Sequence, residues 1–268
     1  MTRLDSEEVG SPRRNAETLL MFVLGCDRAH LFAHPERELT AEEATRYDAA
    51  LAERARGVPS QYITGHQEFW GLDFLVAPGV LIPRPETEHL VESALELAKE
   101  MAAPRIVDVG TGSGCIALAL AHQLPQAEIH AIDISPAALE IARANAARLQ
   151  LEGRVAYHLG DVLQPVQGRS FDFVVSNPPY VGEDQVDYVQ RQVRDHEPHT
   201  AVFAGEKGLD VIGRLIPQAR EALEPGGWLL MEIGYSMSQM VMGLLSDWSQ
   251  VRVNPDLQGI PRVVMARR

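Results

Sequence analysis

Asn177-Pro178-Pro179-Tyr180 is the stretch whose residue types point most directly to chemistry. It follows the apolar run Phe171-Asp172-Phe173-Val174-Val175-Ser176, which predicts a strand. Two successive prolines fix φ and lack backbone N–H groups, which leaves carbonyl oxygens free to accept. Asn177 adds a side-chain carbonyl. A planar nitrogen, as in an amide or an arylamine, has a delocalised lone pair and is a poor nucleophile. Two acceptors that engage both of its N–H bonds pull it toward pyramidal geometry and aim the lone pair. Tyr180 offers a flat face for stacking. Alone, Asn-Pro also starts an ordinary turn after a strand, so the tetrapeptide must be weighed with its surroundings.

A second group lies upstream. Gly110-Thr111-Gly112-Ser113-Gly114 directly follows an apolar run, Arg105–Val109, and opens an apolar helical stretch, Cys115–His122. Glycines let the backbone turn sharply and admit a ligand close to the main chain. An acid, Asp133, ends the next predicted strand about 20 residues on, where a ribose-binding carboxylate is expected. The alternative is a tight turn with an unrelated acid. The spacing G-x-G-x-G differs from the dinucleotide fingerprint G-x-G-x-x-G. It resembles the S-adenosylmethionine loop of class I methyltransferases, as does the preceding Val107-Asp108-Val109. That resemblance implies a cofactor site in which Gly110, Thr111, Gly112, Ser113 and Gly114 admit the cofactor and Asp133 holds its ribose hydroxyls. Asp161, after Gly160, and the backbone of Val162 would then meet the adenine, and Asn177 would border both cofactor and substrate.

These groups need a scaffold. Strand-like runs at Arg105–Val109, Glu128–Ile132, Val155–Leu159, Phe171–Val175 and Trp228–Ile233 alternate with helical patterns. Ser135-Pro136 caps one helix, which runs to about Leu149, and Pro225-Gly226-Gly227 stops another, Leu209–Leu223. The alternation predicts an α/β fold, a parallel, doubly wound Rossmann-like sheet with helices on both faces. Before it, Glu17 to Leu24 and the capping box Thr40-Ala41-Glu42-Glu43 predict a small helical bundle. Glu68 to Val76 predicts two short strands around Gly71. The expected organisation is a flexible tail over 1–14, a helical domain over 15–66, a β-hairpin connector over 67–85 and the cofactor-binding domain over 86–268. The polar stretch Met1–Asn15 has no apolar core and is expected to be a frayed tail rather than a signal peptide.

The chain is also identified as a member of the release-factor glutamine methyltransferase family. Several blocks carry the likeness: Gln61-Tyr62-Ile63-Thr64-Gly65, Glu68-Phe69-Trp70-Gly71, Leu81-Ile82-Pro83-Arg84-Pro85-Glu86-Thr87-Glu88, the glycine loop, Ser176 to Tyr180, and Asp256-Leu257-Gln258-Gly259. Gln61 departs from the small apolar residue expected there. The resemblance implies methyl transfer from S-adenosylmethionine to the side-chain nitrogen of the glutamine in the Gly-Gly-Gln motif of class-1 peptide chain release factors. It also implies an N-terminal helical domain that helps grip the release factor. Asn177 and the Pro178 carbonyl would orient the target amide, with Pro179 and Tyr180 completing its site. Arg84, Glu86 and Thr87 line the methionine end of the cofactor, or else Arg84 and Glu86 form a structural pair at the connector. Glu197 and Glu232 match family positions without an assigned role.

Bulk properties narrow the field. The chain has 268 residues, 46% of them hydrophobic, enough for a substantial core. No apolar run reaches the length of a membrane span, so no membrane association is expected and a cytoplasmic location is. The formal charge of −13 argues against a stable nucleic-acid partner, although methylation of a DNA or RNA base is the alternative within the same chemistry. A non-enzymatic cofactor binder and a nicotinamide dehydrogenase are the other classes weighed. Cys26 and Cys115 stand outside any metal-ligand spacing. The histidines show no such spacing either, so no metal is expected, and a general base is not needed for transfer from a sulfonium.

Overall fold

The computed structural model describes residues 10–268, so the first nine residues of the expected tail lie outside it. The described chain forms two compact units. The smaller takes in the helices up to His66, together with a distant segment, Val189–Glu197. Its first helix begins at Pro12, earlier than the tail boundary predicted. Proline is favoured in the first turn, where its missing N–H costs nothing. The capping box forms as read. Glu43 N donates to Thr40 Oγ1 at 3.2 Å and Thr40 N donates to the Glu43 carboxylate at 2.9 Å. Arg54, only 3% exposed, explains why the distant segment belongs here. Its guanidinium donates to Asn15 Oδ1, the Val58 carbonyl and Gln192 Oε1 at 2.8, 3.1 and 3.0 Å. No pattern in the sequence signals that return.

The larger unit holds all the sheet chemistry. Its strands are β1 His66–Phe69 and β2 Leu72–Leu75, then β3 Arg105–Val109, β4 Glu128–Asp133, β5 Val155–Leu159, β6 Phe171–Ser176, β7 Leu223–Glu232, β8 Ser249–Pro255 and β9 Pro261–Arg267. Seven of them form one sheet in the order β5-β4-β3-β6-β7-β9-β8. The first five are parallel. These are the strands that the sequence predicted; beyond them β9 is antiparallel to both of its neighbours, β7 and β8. The reason is local. Asp256 accepts from the amides of Gln258 and Ile260 at 2.9 and 3.0 Å and closes a short turn. A turn that short can join only antiparallel strands.

Helices cover both faces, as the alternation predicted. On one side Leu90, Val91, Ala94 and the apolar helix Cys115–Gln123 bury Phe173, Val175 and Leu230. On the other, Ile212, Leu215, Ile216 and Ala219 of the helix Asp210–Ala222 bury Val107, Val174 and Leu229. Neighbouring strand residues point to opposite faces, so the strands read as continuous apolar runs.

The hairpin is more than a connector. Trp70 and Gly71 have φ of +56° and +71°, the pair of positive values that a tight type I′ turn needs. Glu88 accepts from Trp70 N at 2.8 Å and Glu68 from Gly71 N at 2.6 Å. Phe69 and Phe74 are buried in the core of the larger unit. Asn145 makes the tie. It is fully buried, accepts from Leu75 N at 2.7 Å, and donates to the carbonyls of Leu75 and Ser113 at 3.0 and 2.9 Å. One side chain thus couples the hairpin to the glycine loop.

Asn145→Ala leaves three backbone groups without their partner, the buried Ser113 carbonyl and the half-buried N–H and carbonyl of Leu75. It is expected to destabilise the protein by about 3 kcal/mol, since each unsatisfied buried group costs roughly 1–3 kcal/mol. A lower urea midpoint at unchanged slope is the expected reading. An unchanged midpoint would show that the tie contributes nothing.

Candidate active site

Strand order reverses at β3, whose neighbours are β4 and β6. Open α/β sheets bind ligands at such a switch point, beyond the carboxyl ends of the strands. There the larger unit has a cavity of about 510 Å³. Its walls include Gly110, Thr111, Gly112, Ser113, Asp133, Asp161, Val162, Asn177, Pro178 and Pro179, along with Arg84 and Thr87. Three of the predicted site residues stand apart from these walls: Gly114, Tyr180 and Glu86.

The glycines do different jobs. Gly110, Gly112 and Gly114 all have positive φ, which makes the sharp strand-to-helix turn. A Cβ on Gly112 would enter open space, whereas one on Gly114 would press against Ala142 and Leu118 at 3.1 Å. Gly112 therefore leaves room for a ligand, and Gly114 lets two helices close together. The loop is anchored from β4. Gly110 N and Thr111 N both donate to the Ile132 carbonyl at 2.9 Å. Below it, Thr111 Oγ1 donates to Asp108 at 2.7 Å. Burial pushes the Asp108 carboxyl up to about 7, against the lowering effect of the Thr111 hydroxyl.

Asp133 ends β4 with one carboxylate oxygen on Gly112 N at 2.8 Å and the other on Ser135 N at 2.9 Å. Burial raises its pKa, and these amides pull it back. Each oxygen keeps a lone pair for a hydroxyl donor. Asp161 pairs with Arg214, a wall residue that the sequence did not reveal. Val162 has a left-handed backbone at φ +49°, a strained conformation for a β-branched residue. Gly160 is required beside it, because a Cβ there would lie 2.3 Å from Pro165.

The tetrapeptide is held by a buried network. Ser176 Oγ donates to the Val109 carbonyl at 2.7 Å, which locks the ends of β6 and β3 together. Asn177 Nδ2 donates to Thr87 Oγ1 at 3.0 Å. Thr87 Oγ1 donates to Glu232 Oε2 at 2.5 Å, and the Tyr180 hydroxyl donates to Glu232 Oε1 at 3.1 Å. The Asn177 amide thus uses its donor end inward, and its carbonyl oxygen is the end left for a ligand. Burial raises the pKa of Glu232 and of Tyr180, the latter also through the nearby Glu232 charge. Tyr180 packs against the core with its hydroxyl taken, so its predicted stacking face is not part of the cavity wall.

Glu232 and Thr87 are where sequence reasoning fell short. Glu232 had no assigned role, and Thr87 was expected only to line the methionine end of the cofactor. Pro198, Thr200, Ala201 and Phe203 were also missed as wall residues. Cys115 lies in the wall, but burial pushes its thiol up to about 12, which makes it inert. His130 is a satisfied core histidine, bonded to Glu128 at 2.9 Å and His158 at 2.8 Å. Glu197 is buried in the smaller unit's distant segment.

The cavity suits S-adenosylmethionine. Its volume is that of a small-molecule site. Open space stands before Gly112, an anchored carboxylate offers hydroxyl acceptors, and Ile132, Ile134 and Val162 give an apolar wall for a base.

Residues 1–65 match the family described as PrmC N-terminal domain, and residues 87–197 match the methyltransferase small domain. A relative from Koribacter versatilis named release factor glutamine methyltransferase is 59% identical over 100% of this chain and 95% of its own length. One of the same name from Geobacter sulfurreducens is 41% identical over 98% of this chain and 92% of its own. Among solved structures, a ribosomal protein L11 methylase from Lactobacillus delbrueckii subsp. bulgaricus superposes with a TM-score of 0.52 at 22% identity, covering 72% of this chain and 83% of that one. A methyltransferase from Pyrococcus furiosus gives 0.53 at 17% identity, covering 84% and 98%. The structural matches show a shared methyltransferase fold.

The buried acid beneath the loop makes stability depend on pH. Asp108 has its folded pKa raised from 3.8 to about 7, so its favourable contribution is full below pH 3.8 and is lost as pH rises through 7. The loss is on the order of 4 kcal/mol. Asp108→Asn should flatten the fall of Tm across that window relative to the unmodified protein. Parallel curves would mean that Asp108 is already ionised in the folded state throughout.

Proposed function

Because the chain belongs to the release factor glutamine methyltransferase family, we propose that it methylates the side-chain amide nitrogen of the glutamine in the Gly-Gly-Gln motif of class-1 release factors. It is an S-adenosylmethionine-dependent methyltransferase, and a release factor glutamine is its substrate. The observation that carries the finer reading is the Asn177 amide. Its donor end is committed to Thr87 and its acceptor end is left over, beside the glycine loop of one cavity.

S-adenosylmethionine supplies a methyl group on a sulfonium, an intrinsically good leaving group. Gly110, Gly112 and the backbone between them give it room, and Asp133 accepts from its ribose hydroxyls. Val162 and Ile134 flank the adenine, with Asp161 and Arg214 paired at that end. Arg84 lies in the same wall and serves the carboxylate end. Asn177 Oδ1 accepts one N–H of the glutamine amide and the Pro178 carbonyl accepts the other. Together they hold the nitrogen at attack distance, which is most of what a displacement with a good leaving group requires. The methylated nitrogen is a strong acid and gives its proton to water. Tyr180 and Pro179 shape the substrate side, Tyr180 by fixing the backbone through Glu232. The helical unit serves to grip the release factor, and the reaction belongs to the cytoplasm, where release factors work.

Incubation of the enzyme with labelled S-adenosylmethionine and a purified release factor, then mass mapping, should place one methyl on the motif glutamine. Label on another residue, or on ribosomal RNA in a parallel reaction instead, would overturn the reading. Asn177→Ala should lower kcat by roughly 10²–10³, the range for removing one pre-organised group aimed at a transition state. Normal turnover would reduce the tetrapeptide to a turn. Asp133→Ala should weaken cofactor binding by about 1–3 kcal/mol, the worth of hydrogen bonds to a charged group, as calorimetry would read. Unchanged affinity would remove Asp133 from the ribose site.

A further inference from the structure

Glu232 lies 1% exposed at the end of β7, next to the tetrapeptide strand. Its two oxygens accept from residues far apart in sequence, Thr87 and Tyr180. A threonine hydroxyl has one proton to give. Here that proton goes to Glu232, so Thr87 Oγ1 meets Asn177 with lone pairs only. Asn177 must then present its NH2 to Thr87 and its carbonyl to the cavity. The direction of every bond in the row follows from Glu232 being an acceptor on both sides. Among buried side chains, only a carboxylate offers two acceptor atoms and no donor.

Resting on the reading of Asn177 given above, we propose that Glu232 is a positioning residue that acts through Thr87: it fixes which end of the Asn177 amide faces the substrate, while holding the tetrapeptide through Tyr180. A neutral group at 232 that donates to Thr87 reverses the row. Thr87 then gives its proton to the Asn177 carbonyl, the amide turns end for end, and an NH2 faces the N–H bonds it should receive.

Burial raises the pKa of Glu232, and the hydrogen bonds from Thr87 and Tyr180 act against that rise. Arg262 on β9 acts on it and lowers its pKa, while Glu86 raises it. Arg262 is itself held by Asp256 at 3.0 Å, which gives the β8–β9 turn a place in the same arrangement. Arg84 acts on Tyr180, and the Cys115 thiol stays neutral at working pH. Burial dominates, so Glu232 titrates above the ordinary carboxylate range. Activity should therefore fall on acidification earlier than an exposed carboxylate would allow.

The test measures kcat, KM for a release factor, cofactor affinity by calorimetry and Tm in one set of variants. Glu232→Gln and Thr87→Val should each lower kcat by about 10²-fold, as for other pre-organised groups, with cofactor affinity unchanged in Glu232→Gln. The double variant should be no worse than either single one, because both act on one row. Thr87→Ser keeps the hydroxyl and should restore most of kcat and the acidic limb of its pH profile. That limb should be absent in Glu232→Gln. If Glu232→Gln does not fold, Thr87→Val and Thr87→Ser carry the comparison. If Asn177→Ala is inactive while Glu232→Gln and Thr87→Val turn over normally, the positioning role fails and the amide-orienting reading stands. Normal kcat in Asn177→Ala overturns both. Multiplying losses in the double variant, or a Thr87→Ser variant as slow as Thr87→Val, would also overturn the relay.

Discussion

Everything chemical in this protein depends on the register between β3 and β6. Val109 pairs with Ser176, and Ser176 Oγ closes on the Val109 carbonyl. The residues that follow are Gly110 on one strand and Asn177 on the other. The cofactor loop and the tetrapeptide therefore start side by side, at the same height above the sheet. A slip of one residue would exchange the faces of β6, sending Phe173 and Val175 to the other core and turning the tetrapeptide away. The register is guarded by the apolar burial of both faces and by one buried hydroxyl. Site and core are in this sense specified by the same pairing.

Local features were legible in the sequence, and long-range ones were not. The glycine loop, Asp133 at the end of β4 and the Ser135 cap could be read because each needs only a few neighbouring residues to express its preference. The capping box at Thr40 and the tight turn at Gly71 are of the same kind. The Thr87–Glu232 bond joins residues 145 apart, and no periodicity announces it. Asn145 reads as one polar residue in a helix, yet it is the buried tie between the hairpin and the loop. The return of Val189–Glu197 to the smaller unit is marked by Arg54, whose partners lie in three places. No strand was read from the sequence at β8 or β9, and the turn at Asp256 sets their antiparallel pairing.

The two levels of likeness do different work. Structural neighbours at 17% and 22% identity share the sheet, and a sheet of this kind hosts many chemistries. Relatives at 59% and 41% identity over nearly the whole chain place it in one family. Neither says why a given side chain is what it is. That comes from the donors and acceptors. Asn177 is informative because Thr87 has already taken its NH2, and Thr87 because Glu232 has already taken its proton.

Three features near the cavity run against stability, and they converge. Val162 is β-branched with φ +49°, a strain of order 1–3 kcal/mol. Asp108 and Glu232 are carboxyls at 0% and 1% exposure, and burial alone disfavours their charge. Buried ionic groups are often replaced by apolar residues of similar size with no loss of stability, and sometimes with a gain. Folding is therefore a poor explanation for them. Each touches a wall of the same cavity: Asp108 through Thr111, Glu232 through Thr87, and Val162 directly. Departures from local preference that gather at one place mark where function overrides packing. For Glu232 the override has a definite content. An apolar residue would leave Thr87 and Tyr180 without acceptors, and an amide would satisfy only one of them without conflict. The charge is retained because two donors must be received at once, and the orientation of Asn177 is what that reception decides.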